Sequence, residues 1–467
     1  MKKTKIIATI ADFNCSVDFL RRLYKAGMTV VRINSAHLDI NGASKILKNV
    51  RKVSKRIPVV IDTKGPEIRT HWKMPELNVK RGERIPIMYG VPAKGCIGVT
   101  YSGFTKEIPK GSRIMIDDGS VELIVEDKKK GMLIAKVQNS GKIKPRKTIN
   151  VPGVRNNLPA VTARDRKFIK WGISEGVDFI AHSFVRSKND ILEIKKFLAR
   201  NKSQIKIIAK IENQEGVENL KEIMDNVYGI MVARGDLGIE VPQEKLPGIQ
   251  KHIINECIKS KKPVIIATQM LHSMIENPRP TRAEVSDVAN GVYDGTDALM
   301  LSGETAIGKH PVAAVKTMAK IAEEIEDATM SSGTKHVVPI NNDIAAFLAK
   351  SAVDASLSLP TKAIITDTLT GRTALYLASA RGRDPVYVMC YDEHVIRELN
   401  LSYGVTPYLV QRKKTPDAFI RTASKLLLDK RAVKKTDIVL VIAGSFGPSN
   451  GASFIEISTL KNMLIRK

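Results

Sequence analysis

IKIIAKIEN at 205–213, GIMVARGDLG at 229–238, VIIATQM at 264–270 and ALMLSGE at 298–304 repeat one plan, a short apolar run that ends in polar or charged residues. A run that stays apolar through its alternation reads as a strand buried on both faces, as in a parallel sheet covered by helices. The same plan recurs toward the N-terminus in KIIATI at 5–10, VVRIN at 30–34, PVVIDTK at 58–64 and DFIAHSF at 178–184. Stretches with helical spacing and polar caps separate the runs. Eight such strands predict closure into a (β/α)8 barrel of the TIM type, and an open doubly wound sheet is the alternative that periodicity leaves open.

The alternation breaks between the third and fourth runs. Residues 70–155 are rich in Gly, Pro and short β-like segments such as RIMIDDGSVELIVED, which predicts an inserted β domain. This insertion carries 17 Lys and Arg against 8 Asp and Glu, a balance of +9. Beside a barrel mouth it could close over an anion, although charge alone favours a solvated basic surface. The barrel then comprises 1–69 and 156–334. SSGTKHVVP at 331–339 reads as a linker. Beyond it, helical IAAFLAKSAVDASLSL and strand-like KAIITDT, PVYVMC, VTPYLV and DIVLVIAG predict a separate α/β domain over 335–467.

Composition bounds the function. The 467 residues are 43% hydrophobic and 26% charged, an ordinary globular balance that excludes a mainly disordered chain. Cys15, Cys96, Cys257 and Cys390 are scattered, with no C-x-x-C pair and no His at metal-site spacing, so they read as free thiols of a reducing cytoplasm. The basic N-terminus is followed by too short an apolar run for a signal peptide, and no run approaches a membrane span. The net charge of +27 permits nucleic-acid binding, but there is no binding motif, and 5% aromatics offer no evident stacking platform.

In a barrel of this kind, residues ending the strands meet at one mouth. Arg32 and Asn34, Asp62 and Lys64, Lys210 and Glu212, Asp236, Thr268 and Gln269, and Ser302 and Glu304 all fall there. Any one alone is as readily an ordinary polar strand end; the series is hard to explain that way. Glu212 and Asp236 are hard carboxylates suited to Mg2+ completed by water and substrate oxygens, and Arg32 and Lys210 are cations for a phosphate. That combination suits phosphoryl transfer, in which the protein positions groups and stabilises spread negative charge. The nearest P-loop match, GETAIGKH at 303–310, puts His310 where Ser or Thr should stand and is a chance match.

DTKGPEIRT at 62–70, AKIEN at 209–213, ARGDLG at 233–238, ATQML at 267–271, PRPTRAEVSDVAN at 278–290 and MLSGETA at 300–306 closely resemble the pyruvate kinase family, in order over essentially the whole chain. The resemblance implies a catalytic barrel, a mobile β-barrel lid and a C-terminal regulatory domain in a cytoplasmic homotetramer. It implies transfer of phosphate from phosphoenolpyruvate to ADP, giving pyruvate and ATP. On this resemblance, Arg32 is the phosphate-binding Arg, Lys210 the transition-state Lys, and Glu212 and Asp236 the Mg2+ carboxylates. Gly235, Asp236 and Thr268 fall where the substrate carboxylate binds, with Thr268 near the enolate to be protonated. Asn34, Ser35, Ala36, His37 and Arg69 match nucleotide contacts, and Lys147 in PRKTINVPG matches the lid's Lys. Asn34, Asp62 and Thr63 match K+ ligands.

Three departures qualify these expectations. RINSAH puts Ala36 where the family has Ser, which removes one oxygen from the K+ site, while Glu67 resembles the K+-dependent branch; K+ dependence with weakened affinity or selectivity is expected. IADFN replaces the family's I-G-P-A-S, so Ala11 and Asp12 alter a loop near the nucleotide, with Asp12 expected to face solvent. TLTGRT at 368–373 resembles the sugar-phosphate effector loop at Thr368, Thr370, Gly371, Arg372 and Thr373, but Leu369 stands where some members have a basic residue. A capped helix with no ligand is the bland reading of that loop. GSFGPSNGAS at 444–453 is the candidate closing loop. The rivals from other classes are a nucleic-acid-binding protein and a catalytically silent sensor.

Overall fold

The structure is a computed structural model that describes residues 2–465 except 74, 93, 94, 130, 333–337, 341, 342 and 445–450. The candidate linker and the candidate closing loop therefore fall partly outside the described residues. Eight strands form the barrel: β1 (Lys5–Thr9), β2 (Val30–Asn34), β3 (Val59–Asp62), β4 (Phe179–His182), β5 (Lys206–Ile211), β6 (Gly229–Ala233), β7 (Val264–Ala267) and β8 (Ala298–Leu301). Each pairs in parallel with its sequence neighbours, and β1 closes on β8 with Lys5 opposite Ala298.

Alternation explains the closure. Ile7, Val30, Val60, Phe179, Ile208, Met231 and Ile265 fill the barrel interior, while Ile6, Val31, Ile61, Ile180, Ile207 and Ile266 pack outward against the helices. With both faces buried, neither face tolerates polar residues until the strand ends. The helices start on side-chain caps. Ser16 accepts from the Phe19 amide at the first, Thr162 and Asp165 form a reciprocal capping box, and Thr281 and Glu284 form another.

Between β3 and β4 lies a seven-stranded, barrel-like mixed sheet. Its order is Ile68–Arg69, Thr148–Asn150, Arg113–Ile116, Val121–Lys129, Met132–Val137, Arg84–Tyr89 and Ile97–Val99. A two-stranded sheet, Leu77–Val79 with Gly141–Ile143, flanks it. The unit has its own core around Ile87, Val99, Phe104, Ile114, Leu123 and Leu133. Asp117 and Asp118 turn the hairpin at φ 53° and 55°, the left-handed region that short polar side chains enter most readily.

The C-terminal unit is a five-stranded sheet of β9 (Thr361–Thr368), β10 (Val386–Cys390), β11 (Val405–Leu409), β12 (Ile438–Ala443) and β13 (Phe454–Thr459), in the order β11-β10-β9-β12-β13. All pairs are parallel except β12 with β13. Leu401 from this unit joins the apolar cluster inside the barrel. Ion pairs hold the join, with Lys206 Nζ 3.3 Å from Glu398 Oε1 at the start of β5. Arg397 Nε lies 2.6 Å from Asp178 Oδ1 just before β4, and Arg381 Nη2 lies 2.7 Å from Asp297 Oδ2 just before β8. The C-terminal unit thus docks on the N-terminal end of the barrel and leaves the opposite mouth to the inserted sheet.

Candidate active site

The strand ends of β2, β3 and β5 converge on one buried ion network. Arg32 Nε donates to Asp62 Oδ2 at 2.6 Å, and its Nη1 donates to Thr9 Oγ1 at 2.9 Å. Lys210 Nζ lies 3.0 Å from Asp62 Oδ1 and 2.8 Å from Glu212 Oε1. Asp62 and Glu212 are each 1% exposed, so these charges meet in a poorly screened setting.

Burial would raise Asp62, but Arg32 and Lys210 outweigh it and hold the carboxyl below the usual range. Lys210 shows the same balance in reverse. Burial favours the neutral amine, yet Asp62 and Glu212 prevail and raise its pKa, so it stays an ammonium. Glu212 is pushed up to about 7 by burial, with Lys210 opposing and the Asp236 charge adding to the rise. Asp236 is also raised, by burial and by Asp118, Glu67 and Asp62, against Lys210. Glu212 and Asp236 both lie above the usual carboxylate range, so the pair is short of positive charge.

A second group joins β6 to β7. Thr268 Oγ1 accepts from the Gly235 amide at 2.8 Å and donates to the Ala267 carbonyl at 2.6 Å. Thr268 and Gln269 hold φ values of 70° and 55°, and a β-branched residue in that region is strained. Arg234 fixes this turn by donating to the Thr268 carbonyl at 2.8 Å while paired with Asp287 at 2.6 Å.

The inserted sheet covers the mouth. A cleft between it and the barrel is lined by Glu67, Asn150, Phe184, Arg186, Asp236 and Glu240. Asn150 Nδ2 donates to Glu240 Oε1 across it at 3.3 Å. Arg69 donates to Glu67 at 2.7 and 2.9 Å, and Lys147 Nζ pairs with Asp117 at 2.9 Å. Asn34 Oδ1 accepts from the Ala36 amide at 3.1 Å. His37 is exposed, whereas the Ser35 hydroxyl is fully buried with no hydrogen-bond partner among the described residues. Thr63 Oγ1 accepts from the Ser183 amide at 3.0 Å.

Ser183, which the sequence reading did not single out, is the hub of the network. It receives a 2.7 Å hydrogen bond from Lys210, donates at 2.7 Å to the Thr63 carbonyl and lies 3.3 Å from Asp62 Oδ1. The next residue, Phe184, takes φ 54° and donates its amide to Glu212 Oε2 at 2.7 Å. The strand-end rule finds Ser183 once it is applied to DFIAHSF. Glu304 answers to the same rule but holds the fold, because its carboxylate accepts from the Leu271 and Ser302 amides at 3.1 and 2.7 Å.

The residues of 368–373 lie elsewhere, at the end of β9. Gly371, at φ 87°, donates its amide to Thr368 Oγ1 at 2.8 Å and opens the helix Arg372–Ser379. Arg372 is held by Asp343 and by the Tyr376 hydroxyl, the latter at 2.9 Å.

Among the described residues, no group of three or more His, Cys, Asp or Glu side chains is arranged to hold a metal by itself, and no helix is long and apolar enough to cross a membrane. The fold and this mouth have counterparts in known proteins. Sequence models of the pyruvate kinase barrel domain and of the pyruvate kinase alpha/beta domain match residues 1–315 and 347–458. A pyruvate kinase from Borreliella burgdorferi is 44% identical over 99% of this chain and 98% of its own length. One from Geobacillus stearothermophilus is 42% identical over 100% of this chain and 81% of its own length. The crystal structure of a pyruvate kinase from Cryptosporidium parvum superposes with a TM-score of 0.90 at 35% identity, over 98% of this chain and 96% of that one. With its barrel, lid, C-terminal domain and buried Arg–Asp–Lys–Glu network, the chain belongs to the pyruvate kinase family of phosphotransferases, whose glycolytic reaction moves the phosphoryl group of phosphoenolpyruvate to ADP and releases pyruvate and ATP.

Proposed function

We propose that Arg32 and Lys210 bind the phosphoryl group of phosphoenolpyruvate, and that Gly235, Asp236 and Thr268 seat its carboxylate. The observation that carries this reading is the buried pairing of Lys210 with Asp62 and Glu212, which keeps a permanent ammonium at the centre of the mouth. As the bond from phosphorus to the enol oxygen breaks, Arg32 and Lys210 neutralise charge spreading over the phosphoryl oxygens. The phosphoryl group passes to the β-phosphate of ADP. The enolate left behind takes a proton at its methylene carbon from a site beside Thr268, whose hydroxyl and turn are already fixed.

Glu212 and Asp236 would hold Mg2+, with waters and substrate oxygens completing its shell, which fits one buried and one partly buried carboxylate of raised pKa. Bound there, the ion supplies Lewis-acid stabilisation of the phosphoryl oxygens. Asn34, Asp62 and Thr63 would hold K+, with Ala36 contributing no oxygen. Asn34, Ser35, Ala36, His37 and Arg69 form the nucleotide side. Lys147 would leave Asp117 for the nucleotide phosphates as the lid closes and expels water. We take 1–69 with 156–334 as the barrel domain, 70–155 as the lid and 335–467 as the regulatory domain.

Thr368, Thr370, Gly371, Arg372 and Thr373 would bind a sugar-phosphate effector. Backbone amides at the start of a helix beside an Arg support that reading. The exposed Ile344 and Phe347 and the outer strand β13 with exposed Ile457 support a homotetramer. Four free thiols support a cytoplasmic setting.

Titrating Mg2+ against activity tests the metal assignment. Glu212→Gln and Asp236→Asn should each weaken apparent Mg2+ affinity by about tenfold or more, as loss of a ligating carboxylate does. Unchanged titrations would remove these residues from the metal site. For the effector loop, Arg372→Ala should abolish activation by fructose 1,6-bisphosphate, and an identical response in the variant favours a plain capped helix.

A further inference from the structure

The inserted sheet leaves the barrel after β3 and returns to the helix Ala163–Ser174, and one buried carboxylate touches both crossings. Asp165 Oδ1 accepts from the Lys64 and Gly65 amides at 2.9 and 3.4 Å on the outgoing segment. Its Oδ2 accepts from the Thr162 amide and hydroxyl at 3.1 and 2.6 Å on the returning one. The group is 1% exposed and makes no ion pair among the described residues, so neutral donors from the two segments offset the burial of its charge. A helix cap needs only the Thr162 half of this set. The other half reaches back 101 positions, across the whole insertion.

The outgoing segment has no room to slide at this point. Gly65 takes φ 69°, and a Cβ on it would lie 2.8 Å from the Phe184 ring and 2.9 Å from Ser183 Cβ. The returning segment is held a second time by Arg186, which pairs with Asp190 at 3.0 Å and donates to the Asn156 and Leu158 carbonyls at 2.9 and 3.0 Å. Beyond these anchors the two segments join as an antiparallel ribbon, with Ile68 opposite Ile149 and Arg69 opposite Thr148. Thr70 extends it, donating its amide to the Lys147 carbonyl at 2.8 Å and accepting the Lys147 amide on its hydroxyl at 2.8 Å. Arg69 and Lys147 therefore ride on a ribbon rooted at Asp165. From Gly65 to Arg69 the extended chain spans about 13 Å, so a tilt of about 5° at the root displaces Arg69 by about 1 Å. A misplacement of about 1 Å is enough to slow a reaction about 10²-fold.

We propose that Asp165 is a positioning residue for phosphoryl transfer: by pinning the root of the ribbon, its carboxylate sets where Arg69 and Lys147 meet the nucleotide phosphates. This role rests on the reading of Arg69 and Lys147 as nucleotide contacts. It places the control of their approach on the first turn of a barrel helix, outside the lid that carries them.

Steady-state kinetics in ADP and in phosphoenolpyruvate, with thermal melts, test the proposal on full-length Asp165→Ala, Asp165→Asn and Thr162→Ala. Thr162→Ala removes the helix cap but leaves the Lys64 and Gly65 amides on Asp165, so it should melt lower and keep kcat/KM for ADP within about twofold. Asp165→Ala also frees the ribbon, and its kcat/KM for ADP should fall about 10²-fold while the KM for phosphoenolpyruvate moves less than about threefold. Asp165→Asn keeps the volume with one acceptor oxygen in place of two; it should fall in the same direction by less, and it carries the test if the Ala variant does not fold. The loss should also fail to add. In a chain already carrying Arg69→Met and Lys147→Met, Asp165→Ala should cost about tenfold less than in the natural chain, because the groups it positions are gone. Equal kinetics in the Asp165 and Thr162 variants, full additivity, or a KM for phosphoenolpyruvate that rises as far as that for ADP would overturn the proposal and leave Asp165 a helix cap. Natural ADP kinetics in Arg69→Met/Lys147→Met would instead refute the nucleotide reading, and the positioning role with it.

Discussion

Lys210 Nζ donates to Ser183 Oγ at 2.7 Å, and the same hydroxyl donates onward to the Thr63 carbonyl at 2.7 Å. The ammonium is therefore aimed by a neutral group on β4 as well as neutralised by Asp62 and Glu212. A charge held only by other charges could slide between them; the hydroxyl gives it one direction.

Ser183→Ala should leave one Lys210 proton unpartnered in a buried site. Losing one such bond costs about 1–3 kcal/mol, which at the transition state corresponds to roughly a tenfold to hundredfold drop in kcat. The KM for phosphoenolpyruvate should move much less, and Ser183→Thr should recover part of the rate. Steady-state kinetics with a thermal melt check this, and a normal kcat in Ser183→Ala would assign the hydroxyl to folding alone.

Ala36 makes the monovalent-cation site testable from the side of a missing oxygen. Activity in tetramethylammonium buffer should be low and should rise with K+, half-saturating at a high concentration. Ala36→Ser should lower that concentration by about tenfold, the scale of one good ligand interaction of roughly 1.4 kcal/mol. Full activity without any monovalent metal ion refutes K+ dependence.

His182 supplies a stability prediction outside the reaction. Its ring is 1% exposed, neither nitrogen has a hydrogen-bond partner among the described residues, and burial pushes its pKa down to about 4 from the ordinary 6.5. A histidine lowered in the fold binds more protons when unfolded. Stability is therefore intact above about 6.5 and lost as pH falls from there toward 4. Between pH 7 and 5 this group should remove about 2 kcal/mol, and His182→Leu should flatten that part of the profile. Denaturant titrations at the two pH values measure the difference; parallel losses in both proteins would mean that the ring is already hydrated.

The barrel was legible because its strands are mostly apolar on both faces, so each stands out as a run with its polar residues, such as Asp62, Lys210 or Thr268, gathered at or near the end. Strand β13 escaped the reading because it lies at the sheet edge, with every residue partly or fully exposed and no apolar run to mark it. Ser183 escaped because it follows His182 inside a run quoted as a strand, and a small hydroxyl carries no charge to attract notice. The pairing of Lys147 with Asp117 is not written locally at all. It depends on two successive aspartates turning through positive φ, which brings residues 30 positions apart into contact. Arg69 with Glu67, two residues apart, was within reach of the sequence.

The account stands on Lys210 as the cation at the reacting phosphoryl group, and one coupled assay tests it directly. Pyruvate formation from phosphoenolpyruvate and ADP is followed through lactate dehydrogenase, with and without Mg2+, for the natural chain and for Lys210→Met. The account predicts turnover that requires Mg2+ and falls by about 10²–10³-fold or more in a variant that still melts cooperatively. Wild-type turnover in Lys210→Met would contradict it, as would the absence of pyruvate from folded natural protein supplied with Mg2+, K+ and sugar phosphates.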